Sequence, residues 1–446
     1  MIKSTKIIFC FLILCSLHFA GQDYGGFFHS EHGKHINFNS YPSNLSDLDN
    51  KWDFNILSLS GELMGKFLTN GDLHRNIGNP NAGLLSFTKN TETGDYALNA
   101  DFVLPSVAYK INDNSGIAFT WRTRVFGYGR SSVSDYNLFA SIGESSVEYD
   151  TYGIDFATAI VNTWQDFSFS YGHAFKLAEQ HRLEGGVNFK VLVGGASGFV
   201  DFNTGNVGVN ANNQISYNDG RMDMAFNRQL EETLDGEGTN LFSTMGIGMG
   251  FNVAYKFLKP NAAADKDYKL KLATGVSDIG GINYTSSTVS GLYELKTNDS
   301  VSLADLEYLE TVDDVYDFIE DKFYIDNSQE EQTYVIRLPT SWNFLIDYQV
   351  RPKLFVSYQS RLTALDARLK YFESQHFYKF DVGLRYEARR WGVYTTAGHH
   401  EFSGFNSSIG ARYSFIYLGV SNLFTGADAK NIKKIGVTCS LRFGIK

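Results

Sequence analysis

Toward its C-terminus the chain alternates apolar and polar residues without a break. Phe380, Val382, Leu384, Tyr386 and Ala388 hold one phase, and Lys379, Asp381, Gly383, Arg385 and Glu387 the other. The last segment repeats the pattern, with Ile435, Val437, Cys439, Leu441 and Phe443 set against Lys434, Gly436, Thr438, Ser440 and Arg442. Successive side chains of a strand point to opposite faces, so each segment has one apolar face and one wet face. The same period of two recurs upstream. Leu183, Val187, Phe189, Val191 and Val193 face away from Arg182, Glu184, Gly186, Asn188 and Lys190, and Phe344, Ile346, Tyr348 and Val350 face away from Asn343, Asp347, Gln349 and Arg351. Charges on the polar phase are frequent enough to mark that face as solvated.

Read along the whole chain, the alternation predicts about fourteen strands, at 54–68, 97–111, 116–128, 149–174, 182–194, 244–257, 268–283, 332–350, 353–365, 376–388, 391–399, 405–413, 415–422 and 433–443. The connections alternate between short and long. Short ones follow the even-numbered strands, and long ones, including 69–96, 129–148, 195–243 and 284–331, follow most odd-numbered strands. A secreted soluble protein of two stacked sheets would share the alternation. The parity of the turns favours an all-β transmembrane antiparallel β-barrel, because such barrels join an even number of strands by short periplasmic turns and longer outer loops.

Composition and the N-terminus agree with a membrane setting. Lys3 and Lys6 precede an apolar run from Ile7 to Phe19, then Ala20 and Gly21, which reads as a secretory signal peptide over residues 1–21. The run is too short to span a bilayer as a helix, and no later stretch approaches the about 18 to 20 unbroken apolar residues that a spanning helix needs. If the chain crosses a membrane, it crosses as strands, and the localisation expected is the outer membrane. Aromatic residues make up 15% of the chain while Pro numbers only 6, a balance that suits strands and aromatic interfacial girdles. Loss of Cys10 and Cys15 with the signal leaves Cys439 as the lone cysteine, so no internal disulfide forms. The formal charge of −10, with no basic clusters, argues against nucleic acid as a partner.

Some features depart from the alternation. From Ser302 to Phe323, apolar residues at Leu303, Leu306, Leu309, Val312, Tyr316 and Ile319 follow helical spacing, with an acidic opposite face. This predicts an extramembrane helix over 302–323 in a long outer loop, on the rim of the barrel or as a docking element. It lacks the ligand spacing and turn glycine of a calcium loop. Pro105 and Pro339 stand inside otherwise regular strands, where a missing ladder donor marks a bulge or kink in the wall. His29, His32 and His35 recur every three residues, a spacing that could gather a zinc or copper ion but equally suits hydrogen bonding in a wet lumen. No nucleophile, metalloprotease or phosphate-loop motif occurs, so no catalytic residues, cofactor or enzyme activity are expected.

The signal ending in Ala-Gly-Gln, the segment Asn39-Ser40-Tyr41-Pro42-Ser43-Asn44-Leu45 before the first strand, and the Leu104-Pro105-Ser106 and Leu338-Pro339-Thr340 strands resemble an uncharacterised outer-membrane family of the Bacteroidota, similar in turn to fourteen-stranded FadL/PorV-type barrels. The resemblance implies a barrel over 51–446 whose N-terminal segment, 22–50, occupies part of the lumen. It implies one of two roles beside the surrounding outer-membrane lipid: passive uptake of a hydrophobic or amphipathic small molecule, or a non-transporting barrel that docks proteins, for example as a type IX secretion accessory beside secretion-machinery proteins.

Overall fold

In a computed structural model of the protein, residues 24–69, 94–131, 151–152, 157–203, 206–209, 214–218, 221–230, 244–260, 267–286, 291–295, 300–302, 317, 321, 323–325, 333–363, 378–401, 404–422 and 431–445 are described. Fourteen antiparallel wall strands follow one another in chain order. They are β1 (Trp52–Thr69), β2 in two pieces (Gly94–Val103 and Ser106–Asn112), β3 (Ser115–Ser131), β4 (Ala157–Ala178), β5 (His181–Asn203), β6 (Thr244–Leu258) and β7 (Tyr268–Thr285). The ring continues with β8 in two pieces (Thr333–Arg337 and Ser341–Arg351), β9 (Leu354–Thr363), β10 (Lys379–Glu387), β11 (Trp391–His400), β12 (Gly404–Tyr413), β13 (Ile416–Ser421) and β14 (Asn431–Ile445). β1 closes the ring on β14, with Trp52 opposite Ile445 and Leu68 opposite Ile432. Closure removes the unpaired edges that lipid cannot satisfy.

The pleat sorts side chains the opposite way from a soluble protein. Ile247, Phe169, Val382 and Leu418 are 66%, 57%, 55% and 61% exposed, while Lys190, Lys256, Asp347 and Arg385 on the inner face are at most 2% exposed. Large apolar side chains outside and buried charges inside are what a hydrocarbon exterior requires, so the chain is an outer-membrane β-barrel. The short turns gather at one end. Two of them carry Lys353 (φ 69°) and Ser414 (φ 55°) in the left-handed region that tight two-residue hairpins use. By the rule for such barrels this end is periplasmic.

One departure from simple alternation has a local cause. β5 runs on to Asn203, and Arg221–Phe226 folds back to pair with it, so the expected outer loop 195–243 begins as an extension of the wall. A register shift between the Asn162 and Trp164 pairings with Ser197 and Gly194 inserts a bulge there. A bulge switches the phase of alternation, which hides the continuation in the sequence. The segment 302–323 lies almost wholly outside the described residues. Of it, Ser302 ends a short strand, Phe323 begins another, and Asp317 and Asp321 are helical. Residues 1–21 are also outside them.

Residues 24–50 lie inside the ring as short helical turns (Gly25–His29, Glu31–Gly33 and Pro42–Asp47) around α1 (Lys34–Asn37). They fit because the wall is bare where they touch it. Gly116, Gly172 and Gly186 are directly paired across β3, β4 and β5, and Asn252 on β6 continues the row. A Cβ at Gly186 would stand 2.1 Å from Ser43 N, at Gly172 2.5 Å from the Pro42 carbonyl, and at Gly116 2.4 Å from that of Leu45. Asn252 fixes the position, accepting from Ser43 N at 2.8 Å and donating to Ser43 Oγ at 2.7 Å. Apolar contacts complete the seat, with Phe38, Leu45 and Leu48 on Ala108 and Ala118, and Phe27 stacked on Tyr417 at 3.8 Å between ring centroids.

Candidate luminal site

From the outer end toward the periplasm the lumen has three layers. The first is an apolar cluster of buried side chains centred on Phe126, Trp164, Leu192, Tyr284, Tyr334 and Leu338. Tyr284 and Tyr334 stack at 5.4 Å. Their hydroxyls are tied off, Tyr284 donating to Asn162 Oδ1 at 2.6 Å and Tyr334 to the Ser197 carbonyl at 2.9 Å. The indole Nε1 of Trp164 and the hydroxyls of Ser197 and Thr244 are buried with no hydrogen-bond partner among the described residues. Apolar side chains with a few polar groups among them are the usual lining of a small-molecule site.

The second layer is charged and forms the floor of that cluster. Arg124 lies over the Trp164 ring at 4.7 Å and reaches Asp278 at 3.1 Å and Asp166 at 4.0 Å, while Lys190 contacts the other Asp278 oxygen. Arg122 grips Asp101 through two nitrogens. Asp278 is aimed inward by its backbone. It adopts φ 59° in a bulge of β7, and Gly280 follows at φ 144°, where a Cβ would meet the Ile247 carbonyl at 2.1 Å.

The third layer is the N-terminal segment, held by charges as well as by the glycine row. Asp47 faces Arg182 at 3.2 Å and contacts Lys256, and Glu184 lies 3.1 Å from Arg182 and 3.0 Å from Lys256. Lys271 donates to Asn44 Oδ1 at 2.5 Å and Asn188 to the Asn39 carbonyl at 2.8 Å.

The residues singled out in the sequence fall in different places. His29 bonds to Gln359 on β9, His35 lies 3.1 Å from Asp53 on β1, and His32 borders a pocket at the periplasmic end. They do not converge, and no group of three or more His, Cys, Asp or Glu side chains among the described residues could hold a metal ion. Burial holds His29 neutral, its pKa lowered to about 4, and lowers that of His35, with Asp53 acting the other way.

Pro105 breaks β2, but both pieces pair with β1. Side chains replace the missing ladder bonds, since Asn55 donates to the Val103 carbonyl at 3.0 Å and Ser106 Oγ accepts from Trp121 N at 3.1 Å. Pro339 breaks β8 at the apolar cluster itself. Leu338 N still donates to the Gly280 carbonyl at 2.9 Å, and Thr340 Oγ1 to that of Asp278 at 2.7 Å. The piece before the break, Thr333–Arg337, pairs with β7, and among the described residues the pairing of β8 with β9 runs from Ser341 opposite Thr363 to Arg351 opposite Leu354.

The apolar cluster was not among the expected sites, although the sequence carries its signal. On three neighbouring strands the wet phase turns apolar at one level, from Arg124 to Phe126, from Asp166 to Trp164, and from Lys190 to Leu192.

Among solved structures the chain is similar to a FadL homologue of Pseudomonas aeruginosa, with 13% identity over 94% of each chain and a TM-score of 0.44. It is also similar to the toluene transporter TodX of P. putida, with 10% identity over 95% of this chain and 100% of that one and a TM-score of 0.42. No curated protein matches it in sequence. Residues 42–428, nearly the whole wall together with Pro42–Asp47 of the segment inside it, match a family of unknown function (DUF5723), and the chain belongs to that family.

Proposed function

We propose that this barrel is a channel for passive uptake of a hydrophobic or amphipathic small molecule, with the N-terminal segment as a plug that yields to let it pass. The observation that carries this reading is the apolar cluster in an otherwise charged lumen, at the level where Pro339 interrupts β8. Cargo leaving the lipopolysaccharide surface must regain apolar burial, and the cluster offers it. The unpaired Trp164 Nε1 gives cargo with a hydrogen-bond acceptor one fixed point, which favours an amphipathic molecule over a pure hydrocarbon. The charged floor and the seated segment beneath it keep the channel shut when it is empty. A strain lacking the protein should take up apolar aromatic solutes more slowly and export its surface proteins normally. Normal uptake with failed export would instead mark the chain as a secretion accessory of the PorV type and overturn the transport reading.

A further inference from the structure

At the periplasmic end a cavity of about 350 Å³ lies between the underside of the N-terminal segment and the wall. Arg389, Arg390, Arg412 and Arg442 line it with His32, and none of its lining residues is an Asp or Glu. Arg442 is neutralised by Asp53, which it grips with two nitrogens. Arg412 is different. It is 4% exposed, and its bonds go to neutral acceptors: the Ser414 carbonyl at 2.9 Å, the Ala388 carbonyl at 2.8 Å and the Tyr394 hydroxyl at 3.4 Å. A guanidinium has five N–H donors, so two remain, and no carboxylate partner for it occurs among the described residues. Glu387, the carboxylate on the far side of Tyr394, is engaged by Arg385 at 3.5 Å, so Arg412 is a buried cation with no carboxylate in direct contact, and an anion in the cavity would relieve the cost of burying it. The bonds from Arg412 also brace the two turns that frame the opening, as does Ser414 N donating to the Arg390 carbonyl at 2.6 Å. Arg389 and Arg390 stand exposed on one of those turns.

The rim shows where such an anion would come from. Phe415 and Phe443 line the cavity and are 53% and 43% exposed, and Tyr413 and Trp391 beside them are also exposed. Exposed aromatics at the end of a barrel wall mark the headgroup level of the leaflet they meet. We propose that this cavity binds the phosphate of an anionic phospholipid from the inner leaflet, with Arg412 as buried counter-charge, Arg389 and Arg390 as outer clamps, and Phe415 and Phe443 against the acyl chains. Paired arginine forks suit a phosphate oxyanion. Occupancy of this site is independent of whether the barrel transports anything.

The test is lipid retention by the full-length barrel in a neutral maltoside detergent, followed by native mass spectrometry during titration with phosphatidylglycerol, phosphatidylcholine or inorganic phosphate. The wild type should keep one phosphatidylglycerol in preference to phosphatidylcholine. The double variant R389Q/R390Q, on an exposed turn that leaves the ladder intact, should bind it about thirtyfold more weakly. R412Q should lose it, and K176Q, at the periplasmic end of β4, should keep it. Unchanged retention in R389Q/R390Q, or equal retention of both lipids, would overturn the proposal. Competition by inorganic phosphate at the same concentration as the lipid would assign the cavity to free phosphate and overturn the lipid assignment.

Discussion

Asp47→Asn should loosen the N-terminal segment while leaving the wall intact. Asp47, Glu184, Arg182 and Lys256 form a neutral quartet in which all four side chains are at most 3% exposed. Removing the Asp47 charge leaves one carboxylate, 3.1 Å from Arg182 and 3.0 Å from Lys256, to serve two buried cations. Breaking a buried pair in this way costs about 3–5 kcal/mol. The asparagine carbonyl can still accept from Arg182, so the lower end applies, and about 3 kcal/mol is roughly a hundredfold in an equilibrium constant. When the segment leaves, the cations regain water, so the cost falls on seating and not on strand pairing. Hydrogen exchange of peptides within 24–50, read by mass spectrometry on the barrel in nanodiscs, measures the unseated fraction. That fraction should rise by the same factor while exchange of β3 to β6 stays unchanged. A rise below about threefold, or an equal rise in the wall strands, would refute the electrostatic seating.

Gly186→Val places a Cβ 2.1 Å from Ser43 N, which is backbone and cannot give way. The segment should leave its row of glycines, and trypsin should then cleave at Lys34, which is 3% exposed when seated; continued protection of Lys34 would contradict the close-approach argument. Acid should also unseat it. His29 has its pKa lowered from 6.5 to about 4 in the seated state, so seating is fully stable above about 6.5 and weakens as the pH falls from there toward 4. Protection factors within 24–50, taken relative to intrinsic exchange at each pH, should fall over that window and less so in His29→Gln, whereas protection that increases on acidification would have the wrong sign. On the outer face, Val382→Arg should cost about 2–4 kcal/mol in urea-driven folding into liposomes, and Val382→Leu close to nothing. Equal effects would mean that Val382 does not meet lipid.

The wall was legible because lipid and lumen impose a strict period of two, and residues such as Val382 and Asp381 occupy the faces that the pattern assigns them. Pattern reading failed where the backbone leaves the pleat. Residues 195–203 have the sequence of a loop because the bulge beside Gly194 reverses the phase. The seat of the N-terminal segment was not legible for a related reason. Gly116, Gly172 and Gly186 look unrelated in the chain and become one bare row only when strand register sets them side by side. The charge clusters share this character, since Arg124 and Asp278 are far apart in sequence and meet only after the barrel closes. The apolar cluster is an intermediate case. Trp164 and Leu192 interrupt their own wet phases, which is visible in the sequence, but their shared level depends on the register between β4 and β5.

Entry of an apolar aromatic probe into proteoliposomes tests the transport reading most directly, when the purified barrel is compared with Leu192→Arg and with protein-free vesicles. Leu192 is fully buried in the apolar cluster, so an arginine there puts a charge into it. Faster entry with the wild type than without protein, abolished in Leu192→Arg that still shows wild-type exchange in the wall, is the expected result. Equal rates for the wild type, the variant and empty vesicles would contradict passive uptake through this lumen.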